Sequence, residues 1–169
     1  MIRAYLAVSV DGYIADAQGG VGWLDAFSGE GLGYTEFVAS ISTIVSGRTT
    51  YDQVLGFGTW PYEEKDFIVV SSRPLEQAPP GVWLHSGPVS ALKGAFPADG
   101  DVWVLGGGKL VKSMLEHQLI DRFELFVMPV LLGNGVPLFL PEFDFQQLDL
   151  VSSTAHLQGV VELIYDVRR

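Results

Sequence analysis

The segment DVWVLGGGKLVKSMLEHQL, residues 101–119, constrains the chain more than any other. An apolar run at 102–105 meets Gly106, Gly107 and Gly108, and Lys109 follows. Leu110, Val111, Met114, Leu115 and Leu119 then recur at helical spacing, which predicts strand, turn and a helix over 109–119. Three glycines in a row weaken any regular element that contains them, and a plain strand-to-helix turn needs only one with positive φ. The surplus favours an anion site. Free backbone N–H groups and the helix dipole attract negative charge, and the missing Cβ atoms let a phosphate reach the main chain. Two common nucleotide motifs are excluded. Leu110 and Val111 stand where a dinucleotide fingerprint needs its third glycine, and Lys109 is followed by leucine rather than serine or threonine.

Two further junctions share this pattern. In TIVSGRTTYDQVLG, residues 43–56, a buried-type strand ends in Gly47 before a helix that opens on Arg48, Thr49 and Thr50. Hydroxyls, free amides and a guanidinium there can hold phosphate oxygens. The same threonines could instead simply cap the helix. In DFIVVSSRP, residues 66–74, the strand ends in Ser71, Ser72 and Arg73 with no acid behind it. That set suits a ribose 2′-phosphate better than a ribose diol, although a polar turn before Pro74 would use the same residues.

Strands are expected at 2–10, 43–45, 67–70, 82–84, 102–105 and 122–130, with a closing antiparallel hairpin around Gly159. Tyr34, Phe37, Val38 and Ile41 predict one helix, Tyr51, Val54 and Leu55 a second, and residues 89–96 a third after Pro88. Strands alternating with helices, then strands alone, predict a single α/β domain over 1–169. Its sheet is mixed but mainly parallel, flanked by helices, with an antiparallel C-terminal end.

Composition narrows the functions. With 169 residues, 48% hydrophobic and 18% charged, the chain can bury one proper core. No apolar run reaches membrane-span length, and the N-terminal stretch reads as a strand rather than a signal peptide. The absence of cysteine excludes disulfides and thiolate chemistry and makes the cytoplasm the expected compartment. His85, His117 and His156 are too scattered for a metal site. A net charge of −10 argues against nucleic acid and makes the ten basic residues informative. Arg48, Arg73 and Lys109 all sit beside the junctions just described.

Taken together, the three junctions resemble the dihydrofolate-reductase-like superfamily: strand–Gly-Arg-x-Thr–helix, strand–Ser-Ser, then strand–Gly-Gly-Gly–helix. LAVSVDGYIA at the N-terminus is similar to the family's first strand and loop, and Trp23 stands at its tryptophan. MPVLLGNGVPLF, residues 128–139, is similar to the Pro-x-x-x-Gly-x-Gly segment of the reductase domain in bifunctional riboflavin-synthesis deaminase-reductases and their stand-alone relatives. The resemblance spans nearly the whole chain and implies an NADPH-dependent reductase. By it, Gly106, Gly107, Gly108, Lys109 and Leu110 hold the pyrophosphate with Gly47, Arg48, Thr49 and Thr50. Arg48, Ser71, Ser72 and Arg73 lie near the 2′-phosphate, the Ala7 backbone meets the carboxamide, and Ile14 lies against the nicotinamide. It also implies a cis peptide between Gly106 and Gly107.

The match fails at the substrate end. Where dihydrofolate reductases carry an acid after the tryptophan, Ser28 stands here, with Asp25, Glu30 and Glu36 nearby. That disfavours dihydrofolate itself, which remains the alternative substrate. Asp11, in an Asp-Gly pair after the first strand, is either a turn aspartate or a group that orients substrate or a proton-relay water. The expected substrate pocket is therefore Asp11, Trp23, Asp25 and Ser28. Removing the three junction cations leaves Arg3, Lys65, Lys93, Lys112, Arg122, Arg168 and Arg169, none in a motif at that end. This points from the phosphorylated ribosylaminopyrimidine of riboflavin synthesis towards a smaller heterocycle or carbonyl. The rivals from other classes are a non-catalytic nucleotide-binding module and a phosphotransfer enzyme, the latter disfavoured by the lack of a metal-binding acid. The apolar stretch at 127–143 exceeds what one domain can bury, and relatives pair there, so a homodimer is expected.

Overall fold

In the computed structural model, which describes residues 1–27, 32–142 and 144–169, Ile2–Ser9 forms β1, the central strand. It is followed by β2 (Tyr13–Ala15), a 3₁₀ turn (Gly22–Phe27), α1 (Tyr34–Ser40), β3 (Ile41–Gly47) and α2 (Arg48–Leu55). Next come β4 (Asp66–Val70), β5 (Val82–His85), a 3₁₀ segment (Val89–Ala95), β6 (Asp101–Gly106) and α3 (Gly108–Glu116). The chain closes with β7 (Arg122–Met128), β8 (Val136–Pro137), β9 (Leu148–Ala155), a 3₁₀ turn (Leu157–Gly159) and β10 (Val161–Val167).

Eight strands make one sheet in the order β5-β4-β3-β6-β1-β7-β10-β9, and β2 pairs with β8 in a small second sheet. Pairing is parallel from β5 through β7 and antiparallel for β10 with β7 and with β9. This is the α/β, mainly parallel mixed sheet expected from the alternation, antiparallel at its C-terminal end. Ala4, Leu6, Val8, Val104, Val111, Met114 and Phe123 fill the core on the α3 side. Phe37, Ile44, Tyr51, Phe67 and Trp103 fill the other, under α1 and α2. Among the described residues no helix is long and apolar enough to cross a membrane.

Several boundaries differ from the sequence expectation. Ile41 is not on the first helix. It takes extended backbone and begins β3 with no intervening loop, its β-branched side chain fully buried in the sheet. In place of the helix expected over 89–96, Val89–Ala95 forms 3₁₀ rather than α turns, as suits a short run containing Gly94; only Leu92 of it is buried, and Phe96 is extended. The 109–119 helix ends at Glu116, where His117 takes a non-helical conformation and Gln118 a positive φ. The strand over 122–130 stops at Met128, because Pro129 has no N–H to donate to a ladder.

Candidate active site at the carboxyl edge

All the parallel strands end on one edge, which brings Ser9, Gly47, Ser71, Gly106 and Pro129 together. Beside the central strand the chain switches direction of travel across the sheet, and there the ladder opens. β1 pairs with β6 only at Ile2 and Arg3. The Tyr5 carbonyl accepts from the Trp103 indole, Nε1 to O 3.1 Å, and beyond it Ala7 faces the same side with no ladder to β6. A crevice at the carboxyl ends of strands, at a switch point, is where open α/β sheets bind ligands.

One half of the edge is built from main chain. Cβ atoms placed on Gly47 would lie 3.8 Å from the Gly106 carbonyl and 3.9 Å from Gly107 N, so α2 and α3 start side by side. Neither start has a side-chain cap, and the N-cap of α2 is Gly47, so neither Thr49 nor Thr50 caps it. The three glycines of the opening segment do different things. Gly106 has φ +114, a conformation that L side chains rarely adopt, and its bond to Gly107 is cis. A Cβ on Gly108 would strike the Pro137 carbonyl at 2.6 Å, so this glycine lets α3 approach β8. Gly107 has neither constraint. Its Cβ would meet only Thr50 Oγ1 at 3.5 Å and Ile14 Cδ1 at 3.9 Å, ordinary contacts. A methyl group at Gly107 would therefore fit between Thr50, Ile14 and the two helix starts without displacing the fold.

The cations of this half lie beside the same junctions. Arg48 bonds Asp52 (Nε to Oδ1 2.7 Å) and the Pro74 carbonyl (Nη1 to O 2.9 Å), tying α2 to the turn that carries Ser71, Ser72 and Arg73. The Arg73 amide donates to Ser71 Oγ at 3.0 Å. The side chains of Arg73 and Lys109 are exposed and have no polar partner among the described residues.

The other half is built from side chains. Ala7, Phe126, Met128, Val130 and Val160 make an apolar floor under Trp23, Leu24 and Phe27 of the first 3₁₀ turn. Trp23 Nε1 is buried with no acceptor among the described residues. Asp25 is exposed on that turn. Ser28 and Glu30 lie outside the described residues, and Glu36 is exposed in the first turn of α1. Asp11 staples the loop after β7. Its Oδ1 accepts from Ser9 Oγ (2.6 Å) and the Leu132 amide (3.1 Å), and its Oδ2 from the Gly133 amide (2.7 Å). The Ser9 hydroxyl first, then the two amides, hold its carboxyl below the usual range, so it is poorly suited to donate a proton at neutral pH.

Some residues of the edge carried no legible signal. Ser9, buried, also accepts from the Tyr13 amide at 2.9 Å. Gln53 donates to the Gly19 carbonyl at 2.9 Å, and His156 Nε2 lies 3.1 Å from Glu162 Oε2 beside the Phe126 ring. Glu162 pairs across the sheet with Phe126, in the row that begins at Ala7. Two concavities, about 370 and 460 Å³, lie elsewhere, around Trp60–Tyr62 and between Met1 and Arg169 at the amino edge. The chemistry of the junctions, not cavity size, makes this edge the candidate site. Among the described residues no cluster of His, Asp and Glu could hold a metal.

Fold and edge together define a protein of the dihydrofolate-reductase-like superfamily. The chain belongs to its RibD reductase-like family, whose model, the RibD C-terminal domain, matches residues 88–161. “Uncharacterized protein YwjB” of Bacillus subtilis (strain 168) is 35% identical over 139 residues, covering 80% of each chain. The crystal structure of a “Putative riboflavin biosynthesis protein” from Shewanella sp. PV-4 superposes with a TM-score of 0.84 at 28% identity, over 99% of both chains. A dihydrofolate reductase from Enterococcus faecalis shares the fold, with a TM-score of 0.72 at 20% identity over 100% of this chain and 97% of its own.

Proposed function

We propose that this protein is an NADPH-dependent reductase that transfers hydride to a C=N or carbonyl group of a small heterocycle. The observation that carries the reading is Gly107. The fold explains Gly106 and Gly108 but would tolerate a Cβ at Gly107, which lies between two uncapped helix starts. A pyrophosphate fits that donor set, since it needs close main-chain approach and free amides. In the Enterococcus faecalis reductase, the same fold is complexed with NADP(H).

When bound, NADPH supplies a hydride to the electrophilic carbon and leaves as NADP⁺, while the heteroatom takes a proton. The chain's own part is to bind and orient. Gly106, Gly107, Gly108, Lys109 and Leu110, with Gly47, Thr49 and Thr50, hold the phosphates. Arg73, Ser72, Ser71 and Arg48 receive the 2′-phosphate, and the Ala7 main chain and Ile14 seat the nicotinamide. Phe126, Met128 and Trp23 keep water from the reacting face. Titration with NADPH and NADH, followed by binding-induced shifts in melting temperature, tests this. Saturation to a hundred times Kd should stabilise by about 2.7 kcal/mol. Equal affinity for the two cofactors, or for neither, would remove the reading.

A homodimer completes the proposal, on a face other than the apolar stretch at 127–143, of which Met128 and Leu138 are buried while Leu131 is 73% exposed. The antiparallel end of the sheet has an apolar face, with Val161, Leu163, Tyr165 and Val167 on β10 and Leu148, Leu150 and Val151 on β9. Leu150 is 58% exposed and Val151 50%. The β9–β10 register shifts at Val151, between the Ile164–Ser152 and Tyr165–Leu150 pairs, an irregularity that disfavours further strand addition. The surrounding charges are paired internally, Asp149 with Arg168, Arg122 with Asp166 and Arg169 with Asp121. A second copy can therefore meet this face without repulsion, despite the net charge of −10. Light scattering at micromolar concentration should give twice the chain mass, and Leu150→Lys should give the monomer. A wild-type monomer would overturn it.

A further inference from the structure

Resting on the reductase reading, we infer that the substrate is an uncharged or cationic planar heterocycle that carries no phosphate. The inference comes from where the chain spends its basic residues. The sequence has ten, and all lie within the described part. Five stand at the amino edge: Arg3 and Arg122 begin β1 and β7, Lys65 precedes β4, and Arg168 and Arg169 follow β10. Each is held there, Lys65 by the Ile41 carbonyl and the four arginines by carboxylates. Lys112, on α3, donates to the Pro141 carbonyl, and Lys93 lies on the 3₁₀ segment that packs on the α3 side. The remaining three, Arg48, Arg73 and Lys109, occupy the carboxyl edge at the ends of β3, β4 and β6.

The half of that edge formed by β1, β7 and β10, over which Trp23 and Phe27 pack, therefore has no lysine or arginine. Its charged groups are Asp11, Asp25 and Glu162, with His156 bonded to Glu162. The nearest arginine on the same sheet face is Arg3, and it is spent. Its guanidinium donates to Glu124 twice (2.5 and 2.9 Å), to Asp101 (3.0 Å) and to Ser40 (3.1 Å). Tyr5, stacked 4.1 Å from Phe37 and packed on Phe126, stands between Arg3 and Ala7. Burial, with Glu162 and Glu124 nearby, pushes its phenol well above the usual value, so it stays neutral and walls the arginine off.

A phosphate monoester placed here would meet carboxylates and an apolar floor, in a chain that is already acidic, with no bidentate donor to repay its desolvation. A flat ring suits the same surroundings. Trp23 and Phe27, partly exposed over the buried Phe126 and Met128, give it an apolar face, and the acids favour amino groups on its rim.

The test compares 5-amino-6-(ribosylamino)uracil with its 5-phosphate, and with 2,4-diaminopyrimidine, by calorimetry on the wild-type protein saturated with NADP⁺. Cofactor binding is measured beforehand, so a protein that fails to take NADP⁺ refutes the reductase reading and not this one. The phosphorylated form should bind at least threefold more weakly than its parent. That gap should close as salt rises from about 0.01 to about 1 M, where the screening length falls from about 30 to about 3 Å. The phosphate form binding tenfold tighter, and losing that advantage in salt, would overturn the inference. So would failure of all three rings to bind at millimolar concentration.

Discussion

The two halves of the carboxyl edge solve different problems with different materials. At the ends of β3, β4 and β6 the site is main chain: Gly47 beside Gly107, two uncapped helix starts, and arginines at the rim. At the ends of β1, β7 and β10 it is side chain, an aromatic and aliphatic floor with a loop held by Asp11. A main-chain site recognises a group shared by many ligands, phosphate, and tolerates little variation. A side-chain site can be rebuilt residue by residue while the fold stays fixed. On the proposed reading, the first half would take the cofactor and the second would be the one free to change with the substrate.

The sharpest way to break this contrast is at Gly108. This glycine serves the fold, since a Cβ there would lie 2.6 Å from the Pro137 carbonyl, which is backbone and cannot rotate away. Gly108→Ala should lower stability by about 1–3 kcal/mol in denaturant unfolding, as overpacking does. An unchanged midpoint would mean that α3 and β8 are not closely packed.

Next in size is Arg73. If its free guanidinium meets a 2′-phosphate, Arg73→Ala should narrow the NADPH-over-NADH preference by about 1.5–3 kcal/mol, the range for a charged hydrogen bond. Affinity for NADH should hardly change. A parallel loss for both cofactors would place the arginine elsewhere.

The smallest effect concerns the side-chain half. The Asp11 carboxyl is held below its ordinary value, so its contribution to stability is present above the unfolded pKa, near 4, and is lost as pH falls through the folded one. Amide exchange at Leu132 and Gly133 should therefore be slow at pH 5–7 and rise only at more acid pH, after correction for intrinsic exchange. In Asp11→Ala the two amides should exchange faster across the whole range. Equal protection in both proteins would show that the loop needs no staple.

Legibility in the sequence divides along the same line. The main-chain half was readable because glycine, with no side chain, announces backbone geometry directly: Gly47 and the run at 106–108 fell where the strands end and the helices begin. What the sequence could not show is that Gly108 answers to Pro137, a contact across 29 positions, whereas Gly107 answers to nothing in the fold. The side-chain half was mostly unreadable. Asp11 looked like a turn residue or a substrate group, and its partners stand 121 and 122 positions away. Glu162 reaches the Ala7 row only because β10 pairs with β7. β2 and β8 are three and two residues long, too short for any periodicity to mark. Ile41 misled because its spacing fits a helix face as well as the first position of a strand.

The central claim is that Gly107 is kept for a ligand and not for the fold, and one paired measurement tests it. Gly107→Ala is compared with the wild type for the melting temperature of the cofactor-free protein and for NADPH affinity. The melting temperature should stay within about 2 °C of wild type, since the added Cβ would meet only ordinary contacts of 3.5 and 3.9 Å. NADPH should bind at least tenfold more weakly, about 1.4 kcal/mol, because the methyl group would stand between the phosphates and the main chain. A large fall in melting temperature with NADPH affinity intact would contradict it.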